Sequence, residues 1–317
     1  MKNKMINETR IEGFLYDNDL AVKKSGAASK TPGMEYISGT VSIATDTKFL
    51  NVIQIHYTYE PRERKGKANP NFDMLYKIYS KEFKSVLEVG ENAKLLRIDS
   101  AIALNDFYDR QTGELVTQKR NEGGFVHDFR DKFEDNEKHS YFRTDILITG
   151  LRRIEPDYDK NLPEKMIVKG AVFDFRKSLL PVDFVVLNPM AMNYFESLEP
   201  SQKNPIFTCV WGEQKNQYVI TTKTIETAWG EPEVITNKKP EREFVITHAI
   251  ANPYDFDTEE TITVAELTEA MANREVYLAS VKKRQDDYYA SKEGTPTQVT
   301  TAASATPQIE EEIKFDF

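Results

Sequence analysis

The sequence predicts a mainly β protein with decorating helices, and three observations support this fold class. Apolar and polar residues alternate along much of residues 9–214, as in half-buried strands. Glycines stand inside several of these runs, which suits the sharp bends of a small barrel. The order strand, strand, strand, helix, strand occurs twice, which is the connectivity of the five-stranded OB barrel up to its fourth strand. We therefore predict tandem OB-like barrels, with an unrelated all-β sandwich carrying two helices as the alternative.

The first OB-like unit is predicted over residues 1–140. Its strands are expected at 9–22, 35–45, 51–59 and 94–104, with a helix at 71–83. Alternation places Tyr57 and Tyr59 on the apolar face of the third strand, which favours burial over exposure. Tyr36 and His56 fall on the polar faces of their strands, so their rings are predicted to face outward.

The second OB-like unit is predicted over residues 141–257 and repeats this order. Strands are expected at 143–154, 164–175, 182–188 and 205–214, and a short helix at 191–198. Gly170 occupies its strand much as Gly39 does in the first unit.

Residues 258–292 predict a long amphipathic helix. Thr263 and Glu266 have the T-x-x-E spacing of a capping box. One apolar stripe is expected to pack on the barrels rather than on a second copy of the chain, because the coiled-coil pattern is broken at Arg274 and Gln285. The stripe consists of Val264, Leu267, Met271, Leu278, Val281 and Tyr288.

Residues 293–317 predict a disordered linker followed by an acidic docking tip. The linker is rich in Thr, Ala, Ser and Pro and offers nothing to bury. The tip is expected to bind a partner protein, because its rings and carboxylates suit an apolar pocket with a basic rim. Its candidate partner-binding residues are Glu310, Glu311, Glu312, Ile313, Phe315, Asp316 and Phe317.

The net charge of −9 lies almost entirely in the C-terminal part of the chain. Residues 255–317 hold 14 acidic and 6 basic residues, which leaves 37 acidic and 36 basic residues for residues 1–254. The nearly neutral body can therefore still attract phosphates through local basic patches. We see neither a membrane-spanning run nor a signal peptide, so we expect a cytoplasmic protein, in the host cell if a phage encodes it.

The sequence contains no recognisable enzyme motif, and we predict neither catalysis nor a cofactor. The single cysteine, Cys209, lies in an apolar run and excludes an internal disulfide. The four histidines are widely scattered, which does not favour a metal site. A metal-dependent nuclease built from Asp99, Asp106 and Asp145 remains an alternative, although their spacing does not distinguish them from surface acids.

Several patches combine cations for phosphates with rings for bases, as binding of single-stranded nucleic acid requires. They lie in the loop between the first two strands, on and after the third strand, at a hairpin near residue 110, and in the second unit near residue 173. Solvated charge and core packing are the competing explanations for each patch. The candidate nucleic-acid-binding residues are Lys23, Lys24, Lys30, Tyr36, His56, Tyr57, Tyr59, Arg62, Arg64, Lys65, Lys67, Phe107, Tyr108, Arg110, Lys119, Arg120, Lys169, Phe173, Phe175, Arg176 and Lys177.

The strand order and the tip at Glu310–Phe317 together resemble the single-stranded DNA-binding proteins of bacteria and, in size and layout, of tailed phages. In those families an acidic tip ending in phenylalanine recruits replication and recombination enzymes. The resemblance implies a non-catalytic protein that coats single-stranded DNA and recruits such partners. Self-association is a separate alternative, in which the apolar stripe of residues 258–292 meets a second copy of the chain. Here the tip contains Lys314 and lacks the longer aspartate run of the bacterial version. A phage structural or assembly protein is the main alternative function.

Overall fold

The structure is a computed structural model. It describes residues 5–26, 31–62, 66–129, 133–134, 137–157, 163–225, 229, 233–256 and 261–293. The strands are β1 (Asn7–Asn18), β2 (Ala21–Lys24), β3 (Glu35–Ala44), β4 (Val52–Tyr59), β5 (Leu95–Tyr108), β6 (Leu115–Asp128), β7 (Ser140–Ile154), β8 (Lys165–Phe173), β9 (Leu179–Val186), β10 (Ile206–Ile225) and β11 (Glu233–Ala249). The helices are α1 (Pro70–Tyr79), α2 (Val86–Val89), α3 (Pro189–Ser197) and α4 (Val264–Glu293).

Five strands of the first unit close into a barrel. β1 pairs with β3, β3 with β4, β5 with β6 and β5 with β1, all antiparallel. The ring closes through a parallel contact of β4 with β6, where Ile55 lies opposite Asn121. With α1 between the third and fourth strands, this is the OB connectivity. The short β2 lies in the first loop and extends the sheet beside β3.

The second unit repeats the same topology with β7, β8, β9, β10 and β11. Its ring also closes through a parallel contact, between Val245 of β11 and Val185 of β9, and α3 again stands between the third and fourth strands. The prediction of tandem OB-like barrels is therefore confirmed. The fifth strand of this unit, β11, and the length of β10 were not predicted.

The two barrels are fused rather than merely linked. β1 pairs with β7, so that one sheet continues from the first barrel into the second. β5 contributes Leu96 and Ile98 to the first core, and then, after a bulge near Ser100, Ile102 and Leu104 to the second. One strand thus supplies both hydrophobic cores.

The C-terminal helix α4 packs on the barrels through part of the predicted stripe together with the two polar residues that interrupt it. Its capping box forms, since the Thr263 N–H donates to Glu266 Oε2 at 3.0 Å and the Glu266 N–H donates to Thr263 Oγ1 at 3.1 Å. Val264 and Met271 of the predicted stripe are more than half exposed, whereas Arg274 and Gln285 are buried. The predicted stripe is therefore confirmed at Val281, which is buried, and at Leu267, which packs against a buried cluster, but it is wrong at Val264 and Met271. Arg274 and Gln285 lie on the buried side because both find partners on β5.

None of the helices in the described part of the chain is both long enough and apolar enough to cross a membrane.

Candidate nucleic-acid interface

A cavity lies beside the outer face of β3 and β4, the second and third strands of the first barrel. In OB folds this face commonly holds oligonucleotides. Thr40 lies opposite His56 in the β3–β4 register, and Gln54 lies two residues before His56 on the same face. Their side chains line a cavity of about 60 Å³ together with Asn105 and Gln118.

Three cations stand over this cavity, supplied by both barrels. Lys119 and Arg120 come from β6, and Arg242 comes from β11 of the second barrel. Arg242 Nη1 donates to the Lys119 carbonyl at 2.9 Å, and Arg242 Nη2 donates to Gln54 Oε1. Lys119 Nζ in turn donates to the Asp183 carbonyl at 2.7 Å. These bonds across the barrel junction hold Lys119 and Arg242 in place at the rim of the cavity, while Arg120 pairs with Glu122 of the same strand at 2.9 Å. We call the cavity and its rim the groove.

Next to the groove, two amide side chains pair with each other at the junction of the barrels. Asn121 Nδ2 donates to Gln214 Oε1 at 2.8 Å, and both side chains are at least 95% buried. Among the residues that the structure describes, Asn121 Oδ1 and Gln214 Nε2 have no hydrogen-bond partner. Asn51 of the β3–β4 turn accepts from the Asn216 N–H at 2.8 Å, which anchors the β10–β11 hairpin to the first barrel.

The corresponding face of the second barrel has a different character. The exposed Lys169 lies directly opposite the acidic Asp183, so the charges there balance. Next to them Ile167, Val185 and Val245 form a small buried apolar cluster. Of the described residues that line the groove, Arg242 comes from the second barrel, and the others come from strands of the first barrel.

Three of the aromatic rings that were predicted to contact nucleic acid lie in the protein interior. Tyr57 is fully buried, and this burial raises the pKa of its hydroxyl. Phe173 is 2% exposed and packs against Phe207. Tyr36 is 7% exposed, so its predicted outward position is wrong; β2 pairs alongside this end of β3, and Lys23 lies directly beside Tyr36. Burial leaves none of these rings a face on which a base could stack.

His56, Lys119 and Arg120 are the predicted residues that meet in the groove. Tyr59 is half-buried, donates to the Gly124 carbonyl at 2.9 Å, and has a pKa raised by burial.

A second group of predicted residues contacts or approaches α4. Lys282 of α4 lies over the Tyr108 ring at 5.2 Å, and Arg110 lies over Tyr289 at 4.9 Å. Arg176 stacks on Phe175 and approaches Tyr277. The Lys177 carbonyl accepts from Asn273, and Phe107 is half-buried at the same hairpin as Tyr108.

The remaining predicted cations lie on β2, in the loop after β4, or outside the described residues. Lys23 and Lys24 are on β2, where Lys24 pairs with Glu35 at 3.8 Å. Arg62 and Lys67 are exposed in the loop after β4. The predicted residues Lys30, Arg64, Lys65 and the whole tip Glu310–Phe317 lie outside the described residues.

The three candidate nuclease carboxylates have separate structural partners. Asp106 forms an ion pair with Arg274 of α4, and Asp145 accepts from the Ile6 N–H at 2.8 Å. Burial raises the pKa of Asp99, but hydrogen bonds from Arg97 and Arg10 outweigh this and leave it lowered. Among the residues that the structure describes, no three His, Cys, Asp or Glu side chains form a group that could hold a metal ion.

Sequence reasoning missed two central residues of the groove, Gln54 and Arg242. Gln54 shares the polar face of its strand with His56, so alternation could have identified it. Arg242 reaches Gln54 from 188 positions further along the chain, and no local pattern signals such a contact.

Fold and site together define a tandem OB-fold protein with a cationic groove on its first barrel. A family model described as YorF matches residues 6–284, and the chain therefore belongs to the YorF family. Comparison with curated proteins finds no match.

A comparison with solved structures finds similar chains, including two at low sequence identity. One is a deletion mutant of the single-stranded DNA binding protein from Thermus aquaticus, with 8% identity and a TM-score of 0.45 over 81% of this chain and 99% of that chain. The other is the wild-type protein from Thermus aquaticus, with 8% identity and a TM-score of 0.42 over 78% of this chain and 93% of that chain.

Proposed function

We propose that the protein binds single-stranded DNA in the groove and coats it without catalysis. The supporting observation is the junction itself, where Lys119, Arg120 and Arg242 stand over Gln54 and His56 on the second and third strands of an OB barrel. Cations there can follow phosphates, while the imidazole and the amides can contact bases. We further propose a role in phage replication or recombination in the host cytoplasm, with the tip Glu310–Phe317 recruiting partner enzymes.

The salt dependence of binding tests the groove. Replacing Lys119→Gln and Arg242→Gln removes two charges while keeping a hydrogen-bond donor at each position. We expect weaker binding of labelled oligo-dT and a slope of log K against log salt that is smaller by about 0.7 for each lost phosphate contact. Fluorescence anisotropy at several salt concentrations measures both quantities.

The matched control removes the same charge elsewhere. Lys81→Gln and Lys283→Gln replace two exposed lysines outside the groove. We expect this variant to keep a slope close to that of the unchanged protein. Equal slopes for the two variants would place the phosphates elsewhere, and no binding of oligo-dT even at low salt would refute the proposed function. Cleavage that requires a divalent metal would favour a nuclease, and co-sedimentation with large assemblies a structural protein.

A further inference from the structure

The sheet shared by both barrels carries exposed aromatic rings that the groove does not use. β6, β5, β1, β7 and β10 lie side by side in this sheet. The register places Phe125, Asp99, Arg10 and Tyr141 next to one another on the first four of these strands. Phe125 is 59% exposed and Tyr141 is 37% exposed. Exposed rings that share one face of a sheet make that face a candidate interaction surface.

The neighbouring register row adds a tryptophan to the same face. Arg143 lies opposite Glu8 on one side and opposite Trp211 on the other. The Trp211 ring stacks on His248 with 5.5 Å between centroids and an angle of 4° between the planes. At the opposite side of the sheet Phe125 stacks on His127 at 6.2 Å. We call this surface, with Arg10, Phe125, Tyr141, Arg143 and Trp211, the shared-sheet face.

A β-bulge stands beside a ring at each side of the face, on the fifth strand of each barrel. In the first barrel the register shifts between Asp99 and Ala101, opposite Gly124. Gly124 has φ +91°, and a Cβ there would lie 1.8 Å from the Asp99 carbonyl oxygen. In the second barrel the shift lies next to Trp211. A bulge changes the direction in which nearby side chains point, and each barrel has one beside a ring of this face.

The charges on the shared-sheet face are largely balanced. Asp99 accepts from Arg10 at 3.2 Å and from Arg97 at 2.8 Å. Glu213 pairs with Lys138, and Glu8 stands opposite Arg143. The face therefore offers flat rings and guanidinium planes without a strong field for phosphates. Such a surface suits nucleobases, which stack on aromatic and guanidinium planes.

We infer that the shared-sheet face is a second binding path for single-stranded DNA, which takes bases by stacking. This inference rests on the proposed function, because β6 connects the two sites. Arg120 in the groove and Phe125 on the face are five residues apart on β6, which is about 17 Å along a strand. From β6 to β10 the face extends over four strand spacings, or about 19 Å. DNA leaving the groove along β6 reaches these rings.

Tryptophan fluorescence tests the path directly, because the chain contains two tryptophans. Trp229→Phe leaves Trp211 on the face as the remaining reporter. We expect oligo-dT of about 20 nucleotides to quench this emission, and an oligomer of about 6 nucleotides, which the groove alone can hold, to quench it less.

Removing the rings provides an independent measurement. Phe125→Ala with Tyr141→Ala should weaken binding of the longer oligomer at least about fivefold for each ring, since stacking contributes roughly that much per base. Binding of the short oligomer should change little, which also reports that the variant folds. The matched control, Tyr76→Ala with Tyr79→Ala, removes two exposed rings of α1 and should bind both oligomers normally.

The outcomes separate this inference from the proposed function. If the longer oligomer binds while Trp211 emission stays constant and both double variants behave alike, the shared-sheet face is not a DNA path, although the groove stands. If neither oligomer binds the unchanged protein, the proposed function and this inference both fail.

Discussion

Asp145 is a carboxyl group on β7 that is only 5% exposed, beside Cys209 of β10 in the strand register. Burial raises its pKa above the ordinary 3.8, and the bond from the Ile6 N–H offsets this only in part. The hydroxyl of Tyr254 lies 3.4 Å from the same carboxylate. A buried acid with a raised pKa binds its proton more tightly in the folded than in the unfolded chain.

We therefore expect a defined pH dependence from Asp145→Asn. As the pH falls from 7 toward 4, the free energy of unfolding of the unchanged protein should rise relative to that of the variant, because protonation removes the cost of burying the charge. Above the raised pKa this contribution is lost. Urea unfolding at several pH values measures the difference.

Asp99→Asn is the control of opposite sign. The pKa of Asp99 is lowered, so its contribution to stability is present above the ordinary pKa and is lost as the pH falls through the lowered value. The unchanged protein should lose stability relative to this variant in acid. Each variant is compared with the unchanged protein by the difference in free energy of unfolding. If this difference changed in the same direction with pH for both variants, the Asp145 prediction would be wrong.

At the level of elements, α4 is joined to β5 by a buried ion pair and by an amide that bonds to the backbone. Arg274 contacts both carboxylate oxygens of Asp106 at 2.6 and 2.7 Å. Gln285 Oε1 accepts from the Tyr108 N–H at 2.8 Å, and Gln285 Nε2 donates to the Tyr108 carbonyl. These contacts bring the two residues that interrupt the apolar stripe to the buried side of the helix.

Removing one partner of this ion pair should be costly. Asp106→Ala leaves the Arg274 guanidinium buried without its counter-ion, for which we expect a loss of about 3–5 kcal/mol in the free energy of unfolding. Replacing both partners, with Asp106→Leu and Arg274→Met, should cost less, because no charge is then left buried. Urea unfolding measures each variant.

An exposed pair on the same helix is the control. Lys282 and Asp286 lie 3.6 Å apart and are more than half exposed. Asp286→Asn should cost less than about 1 kcal/mol. If Asp106→Ala were no more destabilising than this variant, the ion pair would not hold α4 to the barrel.

At the level of the whole molecule, the fused barrels form the proposed binding surfaces while most of the net negative charge belongs to residues 255–317. Phosphates and an acidic peptide compete for the same cations. Deleting Glu310–Phe317 removes four carboxylate side chains and one lysine. We expect this deletion to leave oligo-dT affinity unchanged or higher, with the largest gain at low salt, as anisotropy titrations at two salt concentrations can measure.

Deletion of residues 300–307 is the matched control. It removes eight residues without a charged side chain and keeps the tip. The control should bind as the unchanged protein does at both salt concentrations. A clear loss of affinity from the tip deletion alone would make the tip part of the DNA-binding surface.

The sequence by itself determined the β class, the doubled strand and helix order, and the capping box of α4, because each depends on residues a few positions apart. The core position of Tyr57 also followed from alternation along β4. The burial of Tyr36 did not, since it depends on the pairing of β2 with β3. Only the tertiary structure decided that Arg242 reaches Gln54, that Arg274 is buried against Asp106, and that one sheet places Phe125 and Trp211 on a common face. These contacts join residues that lie about 90 to 190 positions apart, and the closing of two barrels on each other brings them together.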